Sequence, residues 1–183
     1  NDRMVAEQLN IGFISPGPVT WPHYDSFMAL VPDFVKFDFY GLGLYGQSLY
    51  EITGKKAEIV SRISELALAN DWHAVIVIGA PTEVMNPGLL ADLKSTLKIP
   101  VTTALSASVA ALRSYQAKRL LLLTPFENRL NRMIEAYLRA AGFEVIAPRS
   151  FADIGQAGQL GAEAVYDLTK EALQEAGNAD AIY

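Results

Sequence analysis

Two patterns of hydrophobic spacing take turns along the chain. One is a short unbroken apolar run rich in β-branched residues, such as Ala74 to Ile78 in "HAVIVIGAP". A run without polar alternation suits a strand covered on both faces, as in a parallel sheet flanked by helices. The other is an apolar stripe recurring every 3.6 residues, formed by Ile59, Val60, Ile63, Leu66 and Ala67 after Thr53, and again by Leu130, Met133, Ile134, Tyr137 and Leu138. Strands are expected at Ile11 to Ser15, Val35 to Tyr40, Ala74 to Ile78, Val101 to Ala104, Arg119 to Thr124 and Phe143 to Ala147, with a last one opening at Ala179. Strands and helices in regular alternation predict a parallel α/β sheet.

Punctuation supports this. Asn86 before Pro87 reads as an N-cap followed by proline at the first helical position, and Gly142 closes "YLRAAG" as a C-terminal glycine does. The tips "ISPG", "IGAP" and "LTPF" each place a small residue or a proline where an apolar strand ends, which predicts three comparable loops on one edge of the sheet. Ligands of open parallel sheets bind outside the carboxyl ends of the strands. The tip Gly79-Ala80-Pro81 is therefore the first place to look for chemistry. The chain ends "NADAIY", which reads as a strand opening after a helix. A parallel strand with no following helix leaves one sheet face poorly covered, so the natural protein is expected to continue beyond Tyr183.

Composition narrows the function classes. With 183 residues, 51% hydrophobic and 19% charged, the chain reads as globular. The net charge is −5 and basic residues cluster no further than Lys55-Lys56 and Lys118-Arg119, which argues against nucleic acid as a partner. No apolar run reaches the roughly 18 residues of a membrane span, and Asn1 to Asn10 lacks the features of a secretory signal, so a soluble cytoplasmic protein with no membrane partner is expected. There is no cysteine, hence no disulfide, thiolate ligand or cysteine nucleophile among these residues. His23 and His73 are too far apart for a metal-binding spacing, and no metal is expected. His73 reads as a junction residue before its strand; His23, in the loop-like "TWPHYD", has a small claim to substrate contact.

Several segments carry a resemblance. "IGFISPGP", "YDSFMALVPD", "GLGLYG", "VIVIGAPTEVMNPG", "IPVTTALSASVAALRSYQAKRLLLLTPFENRLNRMIEAYLRAAGFEV" and "DAIY" together resemble arylmalonate decarboxylase and maleate cis-trans isomerase, of the aspartate/glutamate racemase superfamily, over nearly the whole chain. The resemblance implies two flavodoxin-like α/β lobes with parallel sheets, 1–113 and 114–183, related by pseudo-twofold symmetry, the second lobe incomplete. It also implies an active site in the cleft between them with no cofactor. Racemases and the isomerase of this superfamily use one cysteine from each lobe, and the decarboxylase keeps only the second. The first cysteine's position falls here at Gly79 or Ala80, so a two-cysteine racemase mechanism is disfavoured. The second is expected two or three residues after Tyr183, and no catalytic residue is assigned within the chain.

Chemistry of this kind builds enediolate-like charge that fixed donors must stabilise. The substrate-binding candidates are Ser15, Leu44, Gly79, Ala80, Pro81, Thr82, Thr103, Phe126 and Asn131. Gly79 and Ala80 would let a substrate approach the backbone, with amides around Pro81, Thr82 and Glu83 facing a carboxylate. Ser15, Thr82, Thr103 and Ser106 could add hydroxyls or simply cap helices. Leu44 matches a position bordering an apolar pocket, with Tyr40 and Tyr45 able to enlarge or replace that surface. Phe126 stands where the family has a tyrosine whose hydroxyl helps bind the oxyanion, a donor worth about 3 kcal/mol where it acts on a transition state. Asn131 matches the family's asparagine or holds a loop. Glu83, the one acid at a tip, is a minor candidate for an acid or base.

The implied function is a cofactor-independent lyase or isomerase, decarboxylase-like or isomerase-like, acting on a small carboxylic or dicarboxylic acid through a carbanion or enediolate. The alternative is a catalytically silent carboxylate sensor of the same fold. Self-association into a homo-oligomer is left open. A flavin or nucleotide binder is disfavoured, because neither G-x-G-x-x-G nor a P-loop occurs.

Overall fold

The computed structural model describes residues 8–18, 24–150 and 160–183. It divides into two compact units, Asn1–Ser106 and Ala107–Tyr183. His23 lies outside the described residues.

The first unit is built on a four-stranded parallel sheet in the order β2-β1-β3-β4, with β1 Leu9–Ser15, β2 Val35–Gly41, β3 Ala74–Val77 and β4 Val101–Thr103. Its helices are α1 Asp25–Met28, α2 Lys56–Ala69, α3 Ala80–Val84 and α4 Leu89–Thr96, with a short 3₁₀ turn at Leu49–Ile52, while α5 Ala104–Ser114 begins in this unit and belongs to the second from Ala107 on. The 3.6-residue stripe on α2 buries Ile59, Ile63 and Ala67, while Val60 and Leu66 are half-buried at its margins. The core of this unit includes Ile14, Ile52, Leu89, Leu93 and Leu105, all fully buried.

Neighbouring residues of β1 point to opposite faces. On one face Gly12 has no room for a side chain, because a Cβ there would run into the Trp72 ring. Trp72 in turn donates its indole N–H to Asp38 at 3.0 Å. Burial works against the Asp38 carboxylate, but hydrogen bonds from Lys36 and Trp72 and the charge of Lys36 outweigh it and hold its pKa below the usual value. On the other face Phe13 packs against Tyr24, Phe27, Phe37 and Phe39 with ring centroids 5.0–5.8 Å apart.

The second unit carries a three-stranded parallel sheet in the order β6-β5-β7, with β5 Arg119–Thr124, β6 Glu144–Ser150 and β7 Ala181–Ile182. Its helices include α6 Asn128–Ala140 and α7 Ala162–Ala176. Leu120, Leu121 and Leu122 of β5 are fully buried, as are Ile134 and Leu138 of α6. The Asp180 carboxylate accepts the backbone N–H groups of Lys118 and Arg119, each at 2.8 Å, and so ties the entry of β7 to the entry of β5.

Two local expectations are corrected. The tips "ISPG" and "IGAP" do end adjacent strands of one sheet, but "LTPF" ends β5 in a second sheet. Asn86-Pro87 does not start a helix; α4 begins at Leu89 after Gly88, whose φ of 82° is left-handed. Two carbonyls draw the Asn86 side chain elsewhere: its Nδ2 donates to Ile52 O at 3.0 Å and Thr82 O at 2.9 Å. Gly142, with φ of 99°, closes α6 as its position suggests.

Candidate functional site

In the first sheet β1 leads to β2 on one side, while β3 and β4 lie on the other. The strand order therefore reverses between β1 and β3, and the point outside their carboxyl ends is where an open α/β sheet receives ligands. There β1 runs out at Ser15-Pro16-Gly17 and β3 at Ile78-Gly79-Ala80. The Ile78 N–H to Ile14 O bond, 2.8 Å, keeps the two strands paired up to the tip. Gly79 itself is exposed, with φ 85° and ψ 112°, a backbone conformation that glycine adopts without steric cost. A Cβ there would lie 3.3 Å from Thr82 Oγ1. From Ala80 through Asn86 the chain turns inward and every residue is buried.

The hydroxyls around this tip point mostly into the protein. Thr82 donates its hydroxyl to Ile78 O at 3.0 Å, back along the chain, instead of capping the following turn. Thr103 is the N-cap of α5: its Oγ1 accepts the Ser106 N–H at 3.1 Å, and its own proton goes to Glu83 Oε2. Ser106, the expected cap, instead donates its hydroxyl to Glu83 at 3.0 Å from Oε1 and 3.3 Å from Oε2. The Glu83 carboxylate, 7% exposed, thus joins α3 to the β4–α5 junction. Thr82 and Thr103 are 1% and 2% exposed. Ser15 differs, because its buried Oγ accepts the Gly17 N–H at 3.2 Å and its own proton has no acceptor among the described residues.

The "GLGLYG" loop continues the pairing beyond β1 and β2. Leu42 N–H donates to Ser15 O, Gly43 N–H to Gly17 O and Leu44 N–H to Pro16 O, at 2.8, 2.9 and 2.8 Å. Cations fix its outward carbonyls: Lys55 Nζ donates to Leu44 O at 3.1 Å, and Arg62 donates to Leu42 O. Glu51 fixes its amides, accepting the N–H groups of Gly46, Gln47 and Ser48 at 3.0, 3.2 and 3.0 Å. The Gly46 and Ser48 bonds, helped by that of Gln47 and the nearby Lys55 charge, lower the Glu51 pKa against the opposing effect of desolvation. Leu44 is buried, and Tyr45 is half-buried with its ring against Gly17. Tyr40 donates its hydroxyl to Asn70 Oδ1 at 3.0 Å, away from the loop.

The second unit has a counterpart of the β1 tip. Thr124 ends β5 opposite Ser150, as Ser15 ends β1 opposite Gly41. Its Oγ1 accepts the Phe126 N–H at 3.1 Å, the same bond two residues on that Ser15 makes to Gly17. Asn131 then locks the loop from α6: its Oδ1 accepts the Thr124 hydroxyl and its Nδ2 donates to Phe126 O at 3.3 Å. Asn131 is 4% exposed. Phe126 remains half-buried.

His73 is exposed and accepts the Asn10 N–H on Nδ1 at 3.0 Å, bracing the entry of β3 against β1. Among the described residues no group of three or more His, Asp or Glu side chains is arranged to hold a metal ion, and no helix is long and apolar enough to cross a membrane. The Glu83–Thr103–Ser106 cluster was not legible as a unit, since its members lie on different elements; the Glu51 clasp is local, and the spacing Ser48-x-x-Glu51 is the signal that marks its capping box.

A family model described as arylmalonate decarboxylase matches residues 25–183. Unliganded arylmalonate decarboxylase is similar in structure, with a TM-score of 0.76 and 19% identity over 96% of this chain and 76% of that one. A mutant of the Nocardia farcinica maleate cis-trans isomerase with a covalently bound succinylcysteine intermediate follows at 0.66 and 21%, over 95% and 76%. The maleate isomerase Iso from Pseudomonas putida gives 0.65 and 15%, over 90% and 73%. At these identities the likeness to solved structures is one of fold. Among curated proteins no relative matches the sequence.

Proposed function

The chain belongs to the arylmalonate decarboxylase family, and from that premise we propose that it is a cofactor-independent enzyme acting on a small carboxylic or dicarboxylic acid through a carbanion or enediolate. One observation carries this reading: at the switch point of the first sheet, the β3 tip presents exposed backbone at Gly79 beside the β1 tip Ser15-Pro16-Gly17. Small residues there allow a carboxylate to reach peptide N–H groups.

When a malonate-type acid loses carbon dioxide, the electron pair of the broken C–C bond moves onto the remaining carboxyl group, and a proton must then reach the former α-carbon. The backbone N–H groups of Gly79 and Ala80 and the Ser15 hydroxyl are the donors offered to that oxyanion. Thr82 and Thr103 support the tip from beneath, since their protons already go to Ile78 O and Glu83. Leu44 supplies apolar surface beside the tip, and Pro81 holds its turn. Both Glu83 oxygens accept hydroxyl protons, so its part is to brace the tip and not to exchange protons with substrate. Strand register gives the counterpart of Gly79 in the second unit. Val75 pairs with Gly12, three residues before Ser15, and Ile182 pairs with Leu121, three residues before Thr124. Gly79 stands four residues after Val75, so by the same register a counterpart would fall four residues after Ile182, where the resemblance implies the family's second cysteine. A thiol there would serve as proton donor or nucleophile.

A second reading, a catalytically silent carboxylate sensor, is favoured by the absence of any ionisable side chain at Gly79 or Ala80. Incubation with phenylmalonate, maleate and 2-substituted malonates separates the two. Carbon dioxide release or proton exchange in deuterated water without added metal or cofactor is expected for the enzyme. Saturable binding with neither signal would establish the sensor, and no binding at all would remove both.

A further inference from the structure

We infer that Tyr45 supplies a ligand-binding hydroxyl at the β1 side of the switch point, donating its phenolic proton to an oxygen of the bound carboxylate. The inference deepens the function proposed above and rests on it.

Three observations meet at this residue. Its hydroxyl lies over the β1 tip: a Cβ added to Gly17 would stand 2.6 Å from Tyr45 Oη and 2.7 Å from Cζ. Gly17 has an ordinary φ, so the tyrosine, and not backbone conformation, is what requires a glycine there. The hydroxyl has no hydrogen-bond partner among the described residues, in contrast to Tyr40, whose hydroxyl is engaged by Asn70. A half-buried phenol normally finds a partner, and one that does not is available to a ligand. Finally, the loop carrying Tyr45 is rigid. Lys55 and Arg62 hold its carbonyls, Glu51 holds the amides that follow, and its own amides pair with Ser15, Pro16 and Gly17.

Preorganisation of this kind matters for binding, because a donor already fixed at the site loses little freedom when the ligand arrives. Burial also keeps the phenol protonated to higher pH than a free tyrosine, so it remains a donor across the neutral range. A hydroxyl in this place gives the first unit a side-chain donor that the inward-turned Thr82 and Thr103 do not provide.

The test uses Tyr45→Phe, which removes only the oxygen, and Gly17→Ala, whose methyl group displaces the far end of the Tyr45 side chain while leaving the strand intact. Tyr115→Phe, at an 87% exposed position, is the control. Dissociation constants for phenylmalonate and maleate are measured, or Michaelis constants where either turns over. Tyr45→Phe and Gly17→Ala are each expected to weaken binding about tenfold, the scale of one hydrogen bond to a charged group, with thermal midpoint and Tyr115→Phe affinity unchanged. Wild-type affinity in Tyr45→Phe would overturn the role of Tyr45 and leave the proposed function standing. Failure of the wild-type protein to bind either acid would overturn both.

Discussion

Replacing Gly79 with alanine tests the conformation on which the tip depends. An L-residue in the left-handed region costs roughly 1–2 kcal/mol. The ψ of 112° at Gly79 lies well outside the usual left-handed basin near +47°, which moves the cost towards the upper end of the roughly 1–3 kcal/mol seen for strained backbone. The new methyl group also meets Thr82 Oγ1 at 3.3 Å, and Thr82 cannot retreat without giving up its bond to Ile78 O. Together these give a destabilisation of about 2–3 kcal/mol. Gly43 is the matched control, with φ 59° and nothing within 4 Å of an added Cβ; Gly43→Ala should cost about 1 kcal/mol. Trp72 is buried in the first unit and no tryptophan follows it in the sequence, so fluorescence-detected urea unfolding does not report on the second unit. Gly79→Ala should lower the free energy of that transition at constant m-value and its thermal midpoint by roughly 9–13 °C. A loss below about 0.5 kcal/mol, the range of an indifferent surface substitution, or a larger loss in Gly43→Ala, would refute the backbone geometry assigned to the tip.

Other consequences can be measured in the same way. Glu83→Ala leaves the Thr103 and Ser106 hydroxyls without their acceptor and should destabilise the first unit by about 2–3 kcal/mol in urea, with Glu83→Gln recovering part of the loss through its remaining oxygen. Asn131→Ala removes the lock between Thr124 and Phe126 and should cost about 1–3 kcal/mol in a transition followed by circular dichroism, with tryptophan fluorescence unaffected. Asp180 has its pKa lowered from 3.8, chiefly by the N–H groups of Arg119 and Lys118. A carboxylate of lowered pKa contributes stability that is present above its unfolded value and lost as pH falls through its folded value. The Lys118 and Arg119 amide resonances should therefore hold constant down to that range and move only below it, and Asp180→Asn should abolish the movement.

What could be read from the sequence were features set by neighbours along the chain. Short apolar runs gave β1, β3 and β5, and the 3.6-residue stripes gave the buried faces of α2 and α6, because each depends on local spacing. The five-residue α3 escaped notice, being too short for a stripe and carrying a proline. The Asn86-Pro87 signal failed because long-range partners won: Ile52, 34 residues away, and Thr82 claimed the side chain that a cap would have used. The same cause explains the hydroxyls. Ser15, Thr82, Thr103 and Ser106 all stand near strand tips as expected, but which way Thr103 and Ser106 donate was decided by Glu83, 20 residues before the one and 23 before the other. The direction of a hydroxyl proton is a tertiary property, and no spacing rule encodes it.

The most direct examination of the first unit's role follows backbone amide resonances while phenylmalonate is added to the isotopically labelled protein. Saturable shifts largest at Gly79, Ala80 and Gly17, with the Lys118 and Arg119 amides unmoved, are the expected result. Saturation that leaves Gly79, Ala80 and Gly17 unchanged would mean that the acid binds elsewhere, and the switch point of the first sheet would not be its site.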